Sequence, residues 1–290
     1  MKKGFWFALG YGALLTAFTV YILLDTFVIG RVYSQVEVTP PTSPTVPEEQ
    51  VVITENSYSD SNITITLTEY REHNTAIYVA DIRVTDVQYL KAAFAKNSYG
   101  KNIKEKASDM AQSHNAILAI NGDYYGSRDK GYVLRNGSLY RDTPGSDRED
   151  LVIWSDGSFG VAYERLTSAD SLLESQAWQV FSFGPALVKN GYVSVDEDTE
   201  VGQASYSNPR TAIAIVDELH YLMVVSDGRT DRSDGLTLYQ LAQFLQSKGA
   251  TLAYNLDGGG TACMYFNGKI LNAFGSVTRR SHDIVYIPFQ

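Results

Sequence analysis

Hydrophobic positions follow three regimes along the chain. From Phe5 to Leu24 they run almost unbroken and without charge, at the length with which a helix crosses the hydrocarbon core of a bilayer. From Gln35 to Ser61 they thin out among Pro40-Pro41, Pro44, Pro47, Thr, Ser and Glu. Such a composition has little to bury and reads as a semi-extended tether that lifts a domain from the membrane. From Asn62 onward they recur in short runs that predict strands: Ile63-Thr-Ile-Thr-Leu67, Thr75 to Val84, Ala116 to Ile120, Ala212 to Val216, Thr251 to Leu256 and Ile284 to Ile287.

Asn136-Gly137, Asp156-Gly157, Asn190-Gly191 and Asn267-Gly268 lie between apolar runs and predict type I′ hairpin turns. Helices are few. Ala107 to Ser113 and Ser168 to Gln176 are short candidates, the second with Ser168 as N-cap. Leu238 to Lys248 is the clearest: Thr237 and Gln240 form a capping box, Leu238, Leu241, Ala242 and Leu245 share one face, and Gly249 stops it. The prediction is an α+β chain. One strand-rich domain with a mixed or antiparallel sheet (62–290) follows a transmembrane helix (1–33) and a Pro-rich linker (34–61).

Lys2 and Lys3 before the apolar run argue for a cytoplasmic N-terminus and an extracellular domain, with Arg31 weakening the asymmetry. Val32-Tyr-Ser34 leaves signal-peptide cleavage open, but the apolar length favours an uncleaved anchor. A net charge of −9 makes nucleic acid an unfavourable partner. The single cysteine, Cys263, sits in an apolar run as a buried side chain and has no disulfide partner in the chain.

Candidate chemistry gathers where apolar runs end in polar residues. Asn255-Leu-Asp-Gly-Gly-Gly-Thr261 closes a strand with an acid and three glycines. A turn needs one glycine; three let a ligand approach backbone N–H groups beside Asp257. Asn121-Gly-Asp-Tyr-Tyr125 repeats the theme with Asn121, Gly122 and Asp123 next to aromatic rings. Arg210 in Asn208-Pro-Arg-Thr211, Asp227 and Arg229 in Asp227-Gly-Arg229, and Arg279 before the last strand complete the set. The bland alternative for each arginine is a solvated ion pair; position at strand ends favours bidentate phosphate contact. His282 has no second histidine at ligand spacing and reads as structural or peripheral. No zinc or calcium pattern occurs, and no cofactor is expected, with room left only for a weakly held divalent cation.

The ordered set Asn121-Gly-Asp-Tyr-Tyr125, Phe183-Gly-Pro-Ala-Leu187, Asn208-Pro-Arg-Thr211, Asp227-Gly-Arg229, Asn255-Leu-Asp-Gly-Gly-Gly260 and Arg279 to Ile287 resembles the phosphodiester glycosidase family across nearly all of 62–290. Thr261 stands where that family usually has serine, Thr278-Arg279 where it often has Glu-Arg, and His282 where it has a small polar residue. The resemblance implies hydrolysis of a carbohydrate phosphodiester at the anomeric carbon, here in a cell-envelope or exopolysaccharide glycan.

On this reading Asp257 and Asp123 are the paired carboxylates, facing one cavity. Arg210 and the N–H groups of Gly258, Gly259 and Gly260 hold the phosphate, and Asn121, Gly122, Asp227, Arg229, Thr261 and Arg279 bind around them. The separation of the acids decides between inversion and retention. Two rivals are a non-catalytic module for anionic wall polymer and a metal-dependent phosphodiesterase that cleaves the P–O bond.

Overall fold

The computed structural model describes residues 2–37, 51–145, 149–199, 206–272 and 280–290. Every strand pairing among them is antiparallel. A nine-stranded sheet runs in the order Tyr192–Val193, Ala186–Lys189, Leu252–Leu256, Arg210–Asp217, His220–Ser226, Thr75–Val84, Ile63–Glu72, Ser57–Ser59, Val52–Ile53. A five-stranded sheet holds Ala116–Asn121 and Asp283–Pro288 at its centre, and a second one is built around Ala177–Phe181.

Period two explains the layering. In His220–Ser226 every residue is buried. Tyr221, Met223 and Val225 point into a core shared by all three sheets, while Leu222 and Val224 point the other way, toward the helix Leu238–Ser247. That helix covers the outer face with Leu238, Leu241, Ala242, Phe244 and Leu245, each large apolar side chain contributing about 1.5–3 kcal/mol on full burial. Its capping box forms as predicted, with Thr237 Oγ1 accepting from Gln240 N–H at 3.1 Å and Gln240 Oε1 from Thr237 N–H at 3.0 Å. The helix Ala107–Ser113 covers the central five-stranded sheet in the same way, through Met110 and Ala111.

The hairpin residues Asn136-Gly137, Asn190-Gly191 and Asn267-Gly268 adopt positive φ at both positions, as type I′ turns require. Asp156-Gly157 differs, with positive φ at Gly157 alone. The Asp156 carboxylate is engaged by the N–H and hydroxyl of Ser158, which holds a different turn.

The helix Lys2–Phe27 is predominantly apolar, and it is exposed from Gly4 to Leu24. Within it the hydroxyls of Thr16 and Thr19 donate to Gly12 and Leu15 carbonyls at 2.9 Å, which hides their polarity. The expectation of a tether over 34–61 needs correction at both ends. Arg31–Gln35 pairs with Ser98–Lys101, and Asn102 Nδ2 donates to the carbonyls of Thr26 and Ile29, tying the helix end to the domain. Ser57–Ser59 joins the nine-stranded sheet with Tyr58 fully buried. An aromatic residue inside the polar stretch outweighs its loop-like composition: Tyr58 packs on Phe289 at 5.7 Å. The proline cluster itself lies at 40–47, outside the described residues.

Candidate active site

The strand Leu252–Leu256 is flanked on both sides, by Ala186–Lys189 and Arg210–Asp217, so its end is fixed in position. It delivers Asp257 and the glycines to the wall of a cavity of about 180 Å³, shared with Phe183, Asn208, Arg210, Arg229 and Asn255.

Three glycines from two loops grip Asn208-Pro-Arg210. A Cβ on Gly228 would stand 2.7 Å from Pro209 N, one on Gly235 2.6 Å from Asn208 backbone, and one on Gly258 2.8 Å from Pro209 O. Gly259, at φ +62°, donates its N–H to that Pro209 carbonyl at 2.8 Å. The predicted cradle of three loop N–H groups therefore needs correction. Gly259 N–H is turned to Pro209, and the loop serves first to clasp backbone against backbone.

Arg210 is buried. Its Nε donates to Leu236 O at 2.9 Å and its Nη2 to Tyr206 O at 3.3 Å, which fixes the guanidinium plane. Arg229 is exposed, hydrogen-bonds Asn208 Oδ1 and lies over the glycine loop, with Nη1 3.7 Å from a Cβ built on Gly259.

Burial pushes the Asp257 carboxyl up to about 7, against the pull of the Thr261 hydroxyl. The charge of Asp123 adds to the rise, while Gly258 N–H and Arg128 oppose it. Thr261 sits behind the loop, donating to Gly258 O at 2.7 Å.

The other acid loop is clasped to this one: Asp257 N–H donates to Gly122 O at 3.1 Å, and Asn121 Nδ2 to Asp257 O. Asn121 is buried, its Oδ1 accepting from Thr211 Oγ1 at 2.8 Å and Cys263 N–H at 3.1 Å, so every polar atom of its side chain is used within the protein. Asp123 is fully buried and lies off the cavity wall. It accepts N–H bonds from Tyr124 and Ser182, at 2.5 and 2.9 Å, and stands 3.7 Å from Arg135 Nη2. The expectation that both carboxylates face one cavity therefore holds for Asp257 alone. Gly122 packs beneath Asp283, Asp227 is buried against Tyr78, and neither lines the cavity. Arg279 lies outside the described residues.

Sequence reasoning missed three residues. Arg135 is buried with its face 4.0 Å from the Phe181 ring, and grips Asp283 Oδ2 through Nε and Nη2 at 3.0 and 2.8 Å. Burial pushes the Asp283 carboxyl up to about 6, opposed by Arg135 and supported by Asp123. The available signal was an arginine inside the apolar run Val133-Leu-Arg135. Arg128 lies 5.6 Å from the Tyr124 ring and 5.2 Å from the Phe183 ring, at the cavity edge; its polar loop gave no signal. Asn255 interrupts an apolar strand. Its Nδ2 donates to Gly184 O at 2.8 Å, and its buried Oδ1 has no partner among the described residues.

His282 is structural. Its Nδ1 meets the Ile103 carbonyl at 2.8 Å and must carry the proton, leaving Nε2 to accept from Ser127 at 2.8 Å. Burial pushes its pKa down to about 4, with Lys104 adding to the effect. Cys263 is buried as expected. Among the described residues no three His, Cys, Asp or Glu side chains gather as a metal-ligand set.

The phosphodiester glycosidase family model matches residues 114–287, which include both acid loops, the Asn-Pro-Arg segment and the closing strand. An uncharacterised SPbeta prophage-derived protein of Bacillus subtilis is 30% identical over 60% of this chain and 28% of its own length. Mouse N-acetylglucosamine-1-phosphodiester alpha-N-acetylglucosaminidase is 26% identical over 48% of this chain and 29% of its own. The chain thus spans under a third of either relative. The catalytic domain of the zebrafish enzyme of that name, in a solved structure described as auto-inhibited by its pro-peptide, shares the fold with a TM-score of 0.62 and 19% identity, covering 91% of this chain and 89% of that one. With more than half of its length matched by the family model, the chain belongs to the phosphodiester glycosidase family.

Proposed function

We propose that the protein is a membrane-anchored hydrolase that cleaves the glycosidic C–O bond of a sugar-1-phosphodiester in an anionic cell-envelope or exopolysaccharide glycan. The observation that carries this reading is an acid poised near neutrality, Asp257, on the wall of a cavity shared with Arg210 and Arg229. Mouse and zebrafish relatives named for a sugar-1-phosphodiester support the substrate class.

In the proposed reaction Asp257 takes a proton from water as the water oxygen bonds to the anomeric carbon. The C–O bond to phosphorus breaks, and its electron pair leaves on the phosphate, which departs as a monoester dianion. Such a leaving group needs charge stabilisation more than a proton, so Arg210 and Arg229 outrank a general acid. A base with a pKa near 7 matches its working pH. The unpartnered Asn255 Oδ1 accepts from a sugar hydroxyl. Asp123 acts from behind, its charge helping to keep the Asp257 proton affinity high. The N-terminal helix is the uncleaved anchor with the chain start in the cytoplasm, and the hydrolase unit begins at the Arg31–Gln35 strand.

Hydrolysis in ¹⁸O-labelled water tests the bond assignment. The expected product is an unlabelled phosphate monoester. Label in the phosphate would make the protein a phosphodiesterase attacking phosphorus, and binding without turnover would make it a polymer-binding module. Protease added to intact cells should release the domain; a protected domain overturns the topology.

A further inference from the structure

We propose that the cavity where the N-terminal helix meets the domain binds the phosphate headgroup of an anionic bilayer lipid. The site rests on reading that helix as a retained anchor.

The cavity holds about 530 Å³, within the range of small-molecule sites. One wall is apolar and comes from the chain leaving the helix: Phe27, Val28 and Val32, which are 71%, 65% and 53% exposed. The other wall is cationic and comes from the domain: Lys96, Lys104 and Arg280. No Asp or Glu lines it, in a chain whose net charge is −9. Among the described residues none of the three cations has an ion-pair partner, and their one aromatic contact is Lys104 Nζ at 5.8 Å from the Tyr124 ring. Their neighbours do: Arg31 is paired with Asp25, and Lys101 with Asp129 at 2.7 Å.

The arrangement is built. Lys96 sits at φ +55°, a left-handed conformation that costs a non-glycine residue energy. It is held there by Glu105, whose carboxylate accepts the Lys96 N–H at 2.6 Å. Asn102, also at positive φ, forms part of the wall while capping the helix carbonyls of Thr26 and Ile29. The end of the apolar helix therefore fixes the cavity at headgroup depth, with apolar side chains toward the acyl region and three cations facing phosphate. That placement selects a lipid over free phosphate, which shares the same charge chemistry.

The full chain, extracted in neutral detergent, is compared with Lys96→Gln/Lys104→Gln/Arg280→Gln. Phosphatidylglycerol, phosphatidylcholine and inorganic phosphate are the probes; native mass spectrometry and the thermal midpoint are the readouts. The parent should retain phosphatidylglycerol and melt higher with it, and show neither effect with the other two. Each juxtamembrane cation is worth about fivefold in affinity, so the triple variant should bind on the order of a hundredfold more weakly. An unchanged lipid-free melting midpoint in the variant excludes a folding defect. Equal phosphatidylglycerol retention by the variant overturns the proposal, as does an equal shift of the parent by inorganic phosphate. An intact mass lacking the helix overturns the anchor reading and the site with it. Turnover of a soluble sugar phosphodiester should be the same in both proteins. Its absence from both would count against the hydrolase reading while leaving the lipid result standing.

Discussion

The loops 121–123 and 257–260 begin alike and end differently. Each closes an apolar strand with an acid beside glycine, and the two are hydrogen-bonded to each other. Yet Asp257 reaches a cavity, whereas Asp123 is sealed under Ser182 and Tyr124 N–H groups and beside Arg135. What separates them is the cover laid over each by distant strands. Val133–Arg135 and Ala177–Phe181 roof the first loop, and only the small cavity stands over the second. An acid at a strand end becomes reactive or structural according to what the rest of the fold places above it.

The largest expected effect breaks or confirms that division. Asp257→Asn should lower turnover of a sugar-1-phosphodiester by about 10²–10⁴-fold, the usual worth of a general base. Above pH 7 it should not lower the melting midpoint. A carboxyl whose folded pKa is raised from 3.8 to about 7 is costly to the fold once ionised, and the amide removes that charge. Near-parent turnover would sink the assignment.

Arg135→Met should act on stability instead. It leaves Asp123 and Asp283 buried without their cation, a loss of about 3–5 kcal/mol in denaturant unfolding. A loss below about 1 kcal/mol would mean that Arg135 is not what holds the two acids in place.

Third comes pH. With Asp257 as base, kcat/KM should rise as pH passes through about 7. Asp123→Asn should move that midpoint downward, because a negative charge that raised it is gone. A rate that falls through the same range would make Asp257 an acid.

The smallest effects separate neighbouring glycines. Gly258→Ala drives a Cβ to 2.8 Å from Pro209 O and should slow turnover by displacing the loop. Gly259→Ala meets only Arg229, at 3.7 Å, so its effect should be the ~1–2 kcal/mol of a left-handed residue. Equal effects on turnover would mean that Gly259 approaches substrate directly.

Local grammar was legible throughout. The Thr237 capping box, the Ser168 cap and three of four Asn-Gly or Asp-Gly turns stand where the residues put them. That Asp257 and Arg210 would meet at one cavity was legible because strand ends rich in glycine and charge are written in contiguous residues. Arg135 was not, because its meaning depends on Asp283, 148 positions away. The burial of Asp123 depends likewise on Ser182, 59 positions away. The tether was misread at its far edge because composition averages over Tyr58, whose ring is buried against Phe289, far along the chain.

The strand Asp283–Pro288 lies between Lys91–Phe94 and Ala116–Asn121, and all pairing between those two passes through it. During synthesis, the ribosome therefore releases two strand edges more than 150 residues before the segment that joins them. For that interval the nascent chain carries Asp123 without Asp283, and unpaired edges of the sort that recruit chaperones. The candidate site can mature only after residue 288 has emerged, so its completion waits on a segment remote in sequence from the strands it joins.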